Sequence, residues 1–316
     1  MSFPAKISGV WVSLLALATV TLSAQEAFHF APMEVVHGKP YVMVMVNGRG
    51  PFRFVLDTGT GGQALVSPEL ADRLGLPQVG QVRLTDPTGL GGQRAAVFQM
   101  ESLQVAGVEF KKVRAIRHVL SDENGSCMGV LGFTLFHDYL LTLDYPNRRL
   151  TLASGALSKD EKGSVLPFRM PDGVPIATLS IGNLRVEAQL DSGGSGLSLP
   201  ERLVPYLKIA FGPAVFGNGR SLSTRFQLKA ARLASDVHLG GFTFAKPLVE
   251  INPAFPLANF GSCPMQNFAI TFDQNNLLVR LAASHKVFRI DSLPAMVRME
   301  NAPTQDAKDL GLVPVG

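Results

Sequence analysis

Two short acidic motifs of the same kind occur in the sequence, and each directly follows an apolar run. They are Asp57-Thr58-Gly59-Thr60 and Asp191-Ser192-Gly193-Gly194. Two carboxylates brought face to face cannot both ionise cheaply, so they can share one proton and hold one water molecule. A pair of this kind can hydrolyse an amide without a metal ion or a covalent intermediate.

The surroundings of the two motifs repeat as well. An Asn47-Gly48 hairpin signal precedes the first motif, and Gly182-Asn183 precedes the second. After the first motif, Ser67 to Gly75 predicts a short helix with a Ser N-cap, Pro at its first turn and Gly at its end. Leu199 to Val204 occupies the equivalent place after the second motif. The repetition predicts two copies of one structural unit.

The repeat continues farther along the chain. Residues 132–152 match residues 261–281 at a constant offset and without a gap. The chain has 316 residues, enough for two lobes with cores of their own. Hydrophobic residues make up 46% and charged residues 17%, which is typical of folded chains. Short alternating runs, 31 Gly and 21 Pro predict a mostly β protein.

The N-terminus has the pattern of a secretory signal peptide. Lys6 precedes an apolar stretch from Val10 to Val20, and small residues follow at Ser23 and Ala24. The stretch is shorter than a bilayer-spanning helix of about 20 residues. We expect residues 1–24 to be removed and the mature protein to be periplasmic or secreted, without a stable membrane span. An uncleaved membrane anchor is the competing interpretation.

The chain has two cysteines, one in each half of the repeat. Cys127 lies before Gly132 and Cys263 lies after Gly261, so both flank the same repeated element. In an oxidising compartment a disulfide between them is possible. The alternative is that both are buried thiols that behave as small hydrophobic side chains.

Charge and histidine spacing give no sign of a nucleic-acid partner, a metal or a cofactor. The formal net charge is +4, and the basic residues are scattered without a basic stripe or interleaved aromatics. The six histidines show no metal-ligand spacing. Gly59 to Ala64 loosely fits a dinucleotide fingerprint, but no helix pattern opens at these glycines. Gly193 to Leu197 lacks the final Gly of a nucleophile elbow.

Together the two halves resemble the aspartic proteases of the pepsin and retropepsin superfamily, and bacterial retropepsin-like members in particular. The resemblance covers about residues 28–283. In that family each lobe contributes one Asp, backed by two apolar residues and a Gly. Val130-Leu131-Gly132 fits this element well. Asn259-Phe260-Gly261 fits less well, because Asn259 replaces an apolar residue.

The resemblance implies a bilobal acid-protease fold, with two pseudo-twofold-related, β-barrel-like lobes and a cleft between them. The expected divisions are a signal peptide at 1–24, lobes at 25–157 and 158–283, and a tail at 284–316. The tail is too short for a complete domain, and we expect one of its strands to pair with the lobes.

The resemblance also implies the chemistry. Asp57 and Asp191 would be catalytic, Thr58 and Ser192 would cross-link their loops, and Gly59 and Gly193 would let the loops approach. The implied function is an exported, monomeric aspartic endopeptidase acting on a peptide or protein, and a variant of this interpretation is that it cuts one dedicated envelope protein. A non-catalytic peptide-binding protein with the same cleft is the alternative.

The two motifs differ at their fourth residue. Thr60 can donate a hydrogen bond to its carboxylate, whereas Gly194 cannot, although Ser195 is a substitute one residue farther on. Because a donor stabilises the charged form, this difference predicts that Asp57 carries the negative charge more often. Hairpin tips over the cleft are expected within Val82 to Gln93 and within Phe216 to Ser221.

Overall fold

The computed structural model describes residues 28–84, 92–120, 126–160, 162–220 and 225–293. The predicted signal peptide at 1–24 lies outside these residues. So do residues 85–91 in the first predicted hairpin tip, Ser221 in the second, and the tail beyond residue 293. In the described part of the chain, no helix is long and apolar enough to cross a membrane.

The protein is mostly β, as predicted. The N-terminal half contains β1 (Phe28–Pro32), β2 (Glu34–Val36), β3 (Lys39–Val46), β4 (Arg49–Asp57), β5 (Ala64–Val66), β6 (Gln78–Leu84), β7 (Gln93–Val105), β8 (Val108–Arg117), β9 (Gly129–Gly132), β10 (Leu140–Asp144) and β11 (Arg149–Ala153). The C-terminal half contains β12 (Val165–Pro167), β13 (Ile176–Ile181), β14 (Leu184–Asp191), β15 (Leu197–Pro200), β16 (Ile209–Arg220), β17 (Arg225–Leu233), β18 (Val237–Leu239), β19 (Phe242–Phe244), β20 (Leu248–Asn252), β21 (Ala258–Gly261), β22 (Ala269–Asp273), β23 (Leu278–Ala282) and β24 (Val287–Phe288).

Each half has one large sheet, and the two large sheets share a strand order. The first runs β2-β3-β4-β9-β5-β8-β7-β6. In the second, β13-β14-β21-β15-β20-β17-β16 has the order of the last seven strands of the first. The pairings match in direction too: β4 with β9 and β14 with β21 are parallel, whereas β5 with β9 and β15 with β21 are antiparallel.

A third sheet joins the halves, in the order β1-β11-β10-β22-β23-β12. At its centre β10 and β22 pair antiparallel, one from each half, with Thr142 opposite Thr271. The hydroxyls of these two residues are 2.9 Å apart and hydrogen-bonded. One continuous apolar core includes residues of all three sheets.

Local sequence signals produce the expected turns and helix. The Asn47-Gly48 turn joins β3 to β4, and both residues have positive φ, as a tight hairpin turn requires. Helix α1 (Pro68–Leu74) begins after Ser67, whose Oγ accepts a hydrogen bond from the Leu70 N–H at 3.1 Å. In the second half a 3-10 helix (Glu201–Tyr206) stands in its place, without a side-chain cap. The tail strand β24 pairs with β19, as expected.

The cysteines are not bridged. Cys127 precedes β9 and is buried, whereas Cys263 lies in the short helix α2 (Ser262–Met265), which follows β21. Because β9 and β21 are equivalent strands, the two thiols lie at opposite ends of the repeated element. The possible disulfide is therefore absent, and the alternative of two thiols describes the structure.

Candidate active site

The two acidic residues end equivalent strands. Asp57 is the last residue of β4 and pairs with Gly132 of β9. Asp191 is the last residue of β14 and pairs with Gly261 of β21. Parallel strands deliver their carboxyl ends to one edge of a sheet, so each carboxylate leaves its sheet beside a glycine of the neighbouring strand.

Four hydrogen bonds cross between the loops that follow these strands. The Thr58 N–H donates to Ser192 Oγ at 3.0 Å, and the Ser192 N–H donates to Thr58 Oγ1 at 2.9 Å. The Thr58 hydroxyl donates to the Leu190 carbonyl at 2.6 Å, and the Ser192 hydroxyl donates to the Leu56 carbonyl at 2.8 Å. Both side chains are completely buried. The cross-link predicted for Thr58 and Ser192 is thus present, and we call it the crossed loop contact.

The glycines after these residues let the carboxylates meet. A Cβ on Gly59 would lie 2.5 Å from Asp191 Oδ1, and a Cβ on Gly193 would lie 2.5 Å from both carboxylate oxygens of Asp57. Each loop therefore passes directly over the carboxylate of the other half. The two carboxylates lie close enough for the charge of Asp191 to raise the pKa of Asp57, so the structure brings together the pair that the sequence singled out.

The Asp57 carboxylate accepts two hydrogen bonds from its own loop. The Gly59 N–H donates to Oδ1 at 2.7 Å, and the Thr60 hydroxyl donates to Oδ2 at 2.9 Å. Burial, and after it the charge of Asp191, raise the pKa of Asp57 from 3.8 to about 7, although these two donors oppose the shift. Asp57 therefore favours its protonated form over a wide pH range.

The Asp191 carboxylate accepts three hydrogen bonds. The N–H groups of Gly193 and Gly194 donate to Oδ1 at 2.9 and 2.8 Å, and Asn259 Nδ2 donates to Oδ2 at 2.6 Å. Donors stabilise a charged carboxylate, so the negative charge of the pair is better placed on Asp191 than on Asp57.

The burial of Asp57 and the three donors at Asp191 favour the opposite of the predicted assignment, in which Asp57 carries the charge more often. The Thr60 hydroxyl does reach the carboxylate, but burial and the neighbouring charge outweigh it. The sequence argument compared only the fourth residues of the two motifs. It did not include Asn259, which comes from another strand and was interpreted only as a weaker family match.

Two further residues near the pair were not predicted. Gln189 Nε2 donates to the Gly59 carbonyl at 3.2 Å, which ties β14 to the opposite loop. The Tyr145 hydroxyl is buried and has no hydrogen-bond partner within the described residues. Its burial, followed by the charges of Asp191 and Asp57, raises the pKa of Tyr145. Position alone identifies these residues, because Gln and Tyr carry no motif here.

Other sequence alternatives find no support at this site. The glycines after Asp57 lead into β5 rather than a helix, so no helix N-terminus is available for a dinucleotide. Within the described ranges, no group of three His, Cys, Asp or Glu side chains is arranged to hold a metal ion.

Two edge hairpins lie in the regions of the predicted tips, but Phe216 to Arg220 of the second predicted tip is the end of strand β16 and not a turn. β6 pairs with β7 up to Leu84 and Gln93, and β16 pairs with β17 up to Arg220 and Arg225. Residues 85–91 and 221–224, which join these strands, lie outside the described part of the chain.

Comparison with known families agrees with the geometry. Residues 42–135 match the family model described as aspartyl protease. The aspartic protease resemblance is confirmed. The matched aspartic protease segment contains Asp57, its loop and the supporting Gly132, but it ends before Asp191. No curated protein matches the chain.

Proposed function

We propose that the protein is an aspartic endopeptidase in which Asp57 and Asp191 activate a water molecule for attack on a peptide bond. The observation that carries this proposal is the close carboxyl pair, in which each loop glycine lies against the opposite carboxylate and the crossed loop contact holds both loops. A pair that shares one proton supplies a general base and a general acid at the same point.

The surroundings of the pair assign the two roles. Asp191, with three donors, is the charged member and accepts a proton from the attacking water. Asp57, whose pKa is raised to about 7, is the protonated member and donates a hydrogen bond to the scissile carbonyl. The buried Tyr145 hydroxyl lies near enough to the pair for the charges of Asp191 and Asp57 to raise its pKa.

The bilobal arrangement is part of the proposal. Matching strand orders in the two large sheets support two pseudo-twofold-related lobes, residues 25–157 and 158–283, with a tail at 284–316. The contact between Thr142 and Thr271, which are equivalent in the repeat, supports an axis between β10 and β22. A cleft between such lobes takes an extended peptide, and one chain builds the whole pair without dimerising.

Export completes the proposal. The N-terminal pattern supports secretion to the periplasm or beyond, so the substrate is a peptide or protein of the envelope or the medium. Backbone and hydroxyl groups of the two loops support the carboxylates, and they come from Thr58, Gly59, Thr60, Ser192 and Gly193. No step of the proposed reaction requires a metal ion or a cofactor.

The test uses mature protein beginning at residue 25. A denatured protein and a peptide library are incubated with it from pH 3 to pH 8, with and without pepstatin. We expect pepstatin-sensitive cleavage that the variants Asp57→Asn and Asp191→Asn both lack. The variant Asp138→Asn serves as the control, because this carboxylate is 91% exposed and has no part in the proposed reaction.

Cleavage that survives in either Asp variant would contradict the proposal. Binding of peptides without any cleavage across this pH range would instead identify a non-catalytic peptide-binding protein.

A further inference from the structure

The side-chain hydrogen-bond donors to the two carboxylates come from different elements, a loop in the N-terminal half and a strand in the C-terminal half. In the first loop the Thr60 hydroxyl donates to Asp57 Oδ2 at 2.9 Å. In the second loop Gly194 holds the equivalent position and has no side chain. A hydroxyl at Ser195 does not take over this contact among the described hydrogen bonds, in which Asp191 Oδ2 accepts from Asn259.

Asn259 reaches Asp191 from the neighbouring strand. It pairs with Gln189 in the β14–β21 register, two residues before the pair of Asp191 with Gly261. Alternate residues of a strand point to the same face, so Asn259 stands on the face of the carboxylate. Its Nδ2 donates to Asp191 Oδ2 at 2.6 Å, a short distance for such a bond.

The N-terminal half has no such donor. There the equivalent pair is Val55 with Val130, and Val130 offers only methyl groups. The N-terminal half thus combines a hydroxyl in the loop with an apolar residue on the strand. The C-terminal half combines a bare loop glycine with an amide on the strand.

The two changes depend on each other. A Cβ on Gly194 would lie 2.7 Å from Asn259 Nδ2 and 2.5 Å from Asp191 Oδ2. Contacts this short are not tolerated, so any side chain at 194 would displace the Asn259 amide. Conversely, an apolar residue at 259 would leave Asp191 Oδ2 without its side-chain donor. The glycine at 194 and the amide at 259 therefore belong together: the strand amide replaces the hydroxyl donor that the loop lacks, and the glycine leaves room for it.

We propose that Asn259 is a positioning residue that fixes the Asp191 carboxylate and keeps it the charged member of the pair. This role rests on the proposed protease function, because it concerns the base that activates water. Asn259 does not touch the reacting atoms in this role. It acts through Asp191, and Gly194 is present because it leaves room for the amide.

The test removes the strand donor and compares this change with one that keeps it. Asn259→Val copies the N-terminal strand, and Asn259→Gln keeps a side-chain amide at the same position. We expect Asn259→Val to lower kcat by about 10- to 100-fold with little change in KM, by analogy with the loss of one aimed donor. The acidic limb of its pH–rate profile should move to higher pH, by about one unit.

Asn259→Gln, which keeps an amide donor, should retain about tenfold more kcat than Asn259→Val and hold the acidic limb near its original pH. Asn259→Ala repeats the first measurement in case valine disturbs the strand, and far-UV circular dichroism checks folding. Asn183→Ala, in an exposed turn, is the matched control. A pH profile unchanged in Asn259→Val and Asn259→Ala, or equal losses of kcat in Asn259→Gln and Asn259→Val, would overturn the positioning role.

A readout without turnover separates the two proposals. Carboxyl ¹³C NMR titration of Asp57 and Asp191 follows which group holds the proton. If no peptide is cleaved but Asn259→Val moves the proton between the carboxyls, the positioning role stands and the protease proposal fails. If peptides are cleaved and the titration is identical in both proteins, the positioning role fails alone.

Discussion

The two carboxylates occupy matching positions in the two large sheets, yet the residues beside them differ completely in polarity. Register places four residues in a line across neighbouring strands in each sheet. The N-terminal row is Val55, Val130, Leu65 and Ile116, and the C-terminal row is Gln189, Asn259, Ser198 and Glu250.

This difference shows how one repeated scaffold makes two unlike acids. Asp57 lies two residues beyond the apolar row on β4, where burial dominates and its pKa rises. Asp191 lies two residues beyond the polar row on β14, where an amide from that row donates to its carboxylate. Matching strand orders bring the two carboxylates together, and the different rows give them different surroundings.

The largest effect should be common to both halves, despite their different rows. Asp57→Asn and Asp191→Asn should each lower kcat by at least about 10²–10⁴-fold, because each removes one partner of an acid–base pair. Steady-state cleavage of a fluorogenic peptide measures the loss. If one variant kept most of its activity, the two halves would be unequal in necessity as well as in environment.

The two sides of the crossed loop contact should contribute nearly equally to the free energy of unfolding. Thr58→Val leaves the Leu190 carbonyl and the Ser192 N–H without partners, and Ser192→Ala does the same to Leu56 and Thr58. Each variant should lose about 2–6 kcal/mol in free energy of unfolding, since each orphaned buried group costs about 1–3 kcal/mol.

Urea unfolding at one pH measures both losses. Thr60→Val, which removes a single hydroxyl contact, should lose less than either variant. Losses as small as that of Thr60→Val would mean that the loops rearrange to satisfy their backbone groups.

The apolar surroundings of Asp57 predict a loss of stability as the pH rises. Because the pKa of Asp57 is raised in the folded state, folding favours its protonated form. This contribution is complete below pH 3.8 and is lost as pH rises through about 7. Asp57→Asn should therefore increase the free energy of unfolding at pH 8 by on the order of 4 kcal/mol, and leave it unchanged at pH 3.

Urea unfolding from pH 3 to pH 8 measures this difference. Asp191→Asn should remove only part of the pH dependence, because it removes the neighbouring charge and not the burial of Asp57. If the free energy of unfolding of Asp57→Asn and of the unsubstituted protein depended on pH in the same way, Asp57 would not be the group with the raised pKa.

The polar row contains a second buried acid, with a smaller expected effect. Burial raises the pKa of Glu250 from 4.5 to about 7, and its Oε1 has no hydrogen-bond partner within the described residues. Its stabilising contribution is complete below pH 4.5 and is lost as pH rises through about 7. Glu250→Gln should therefore add about 3 kcal/mol to the free energy of unfolding at pH 8.

Glu109→Gln is the control, because Glu109 is exposed. In the opposite direction, Ile116→Glu would give the N-terminal row the acid of the C-terminal row and should destabilise the protein at pH 8. If Glu250→Gln and Glu109→Gln changed the free energy of unfolding equally, the Glu250 carboxylate would be in contact with water in solution and its pKa would not be raised by burial.

Much of this architecture follows from local sequence. The Asn47-Gly48 turn, the Ser67 cap and the paired motifs are short-range signals, and each produced the predicted element. The contact of Thr58 with Ser192 followed from the family resemblance. The charge on the pair did not follow, because it depends on burial and on Asn259, which lies 68 residues from Asp191 in sequence.

Cys127 and Cys263 illustrate the same limit. The sequence places Cys127 before the repeated element and Cys263 after it, but only the structure shows that this element is an extended strand in each half, with the two thiols at its opposite ends. Distances across a repeat depend on the ends of its strands, and sequence spacing alone does not contain them.

The sheet that joins the halves has a consequence for biosynthesis. β10 finds its neighbour β22 only after most of the second half has been made, so a nascent chain presents β10 as an open edge while translation continues. Exposed edges attract other strands, and chaperones that hold unfolded chains would protect this one. Either half produced alone would retain the same unsatisfied edge and should associate with itself.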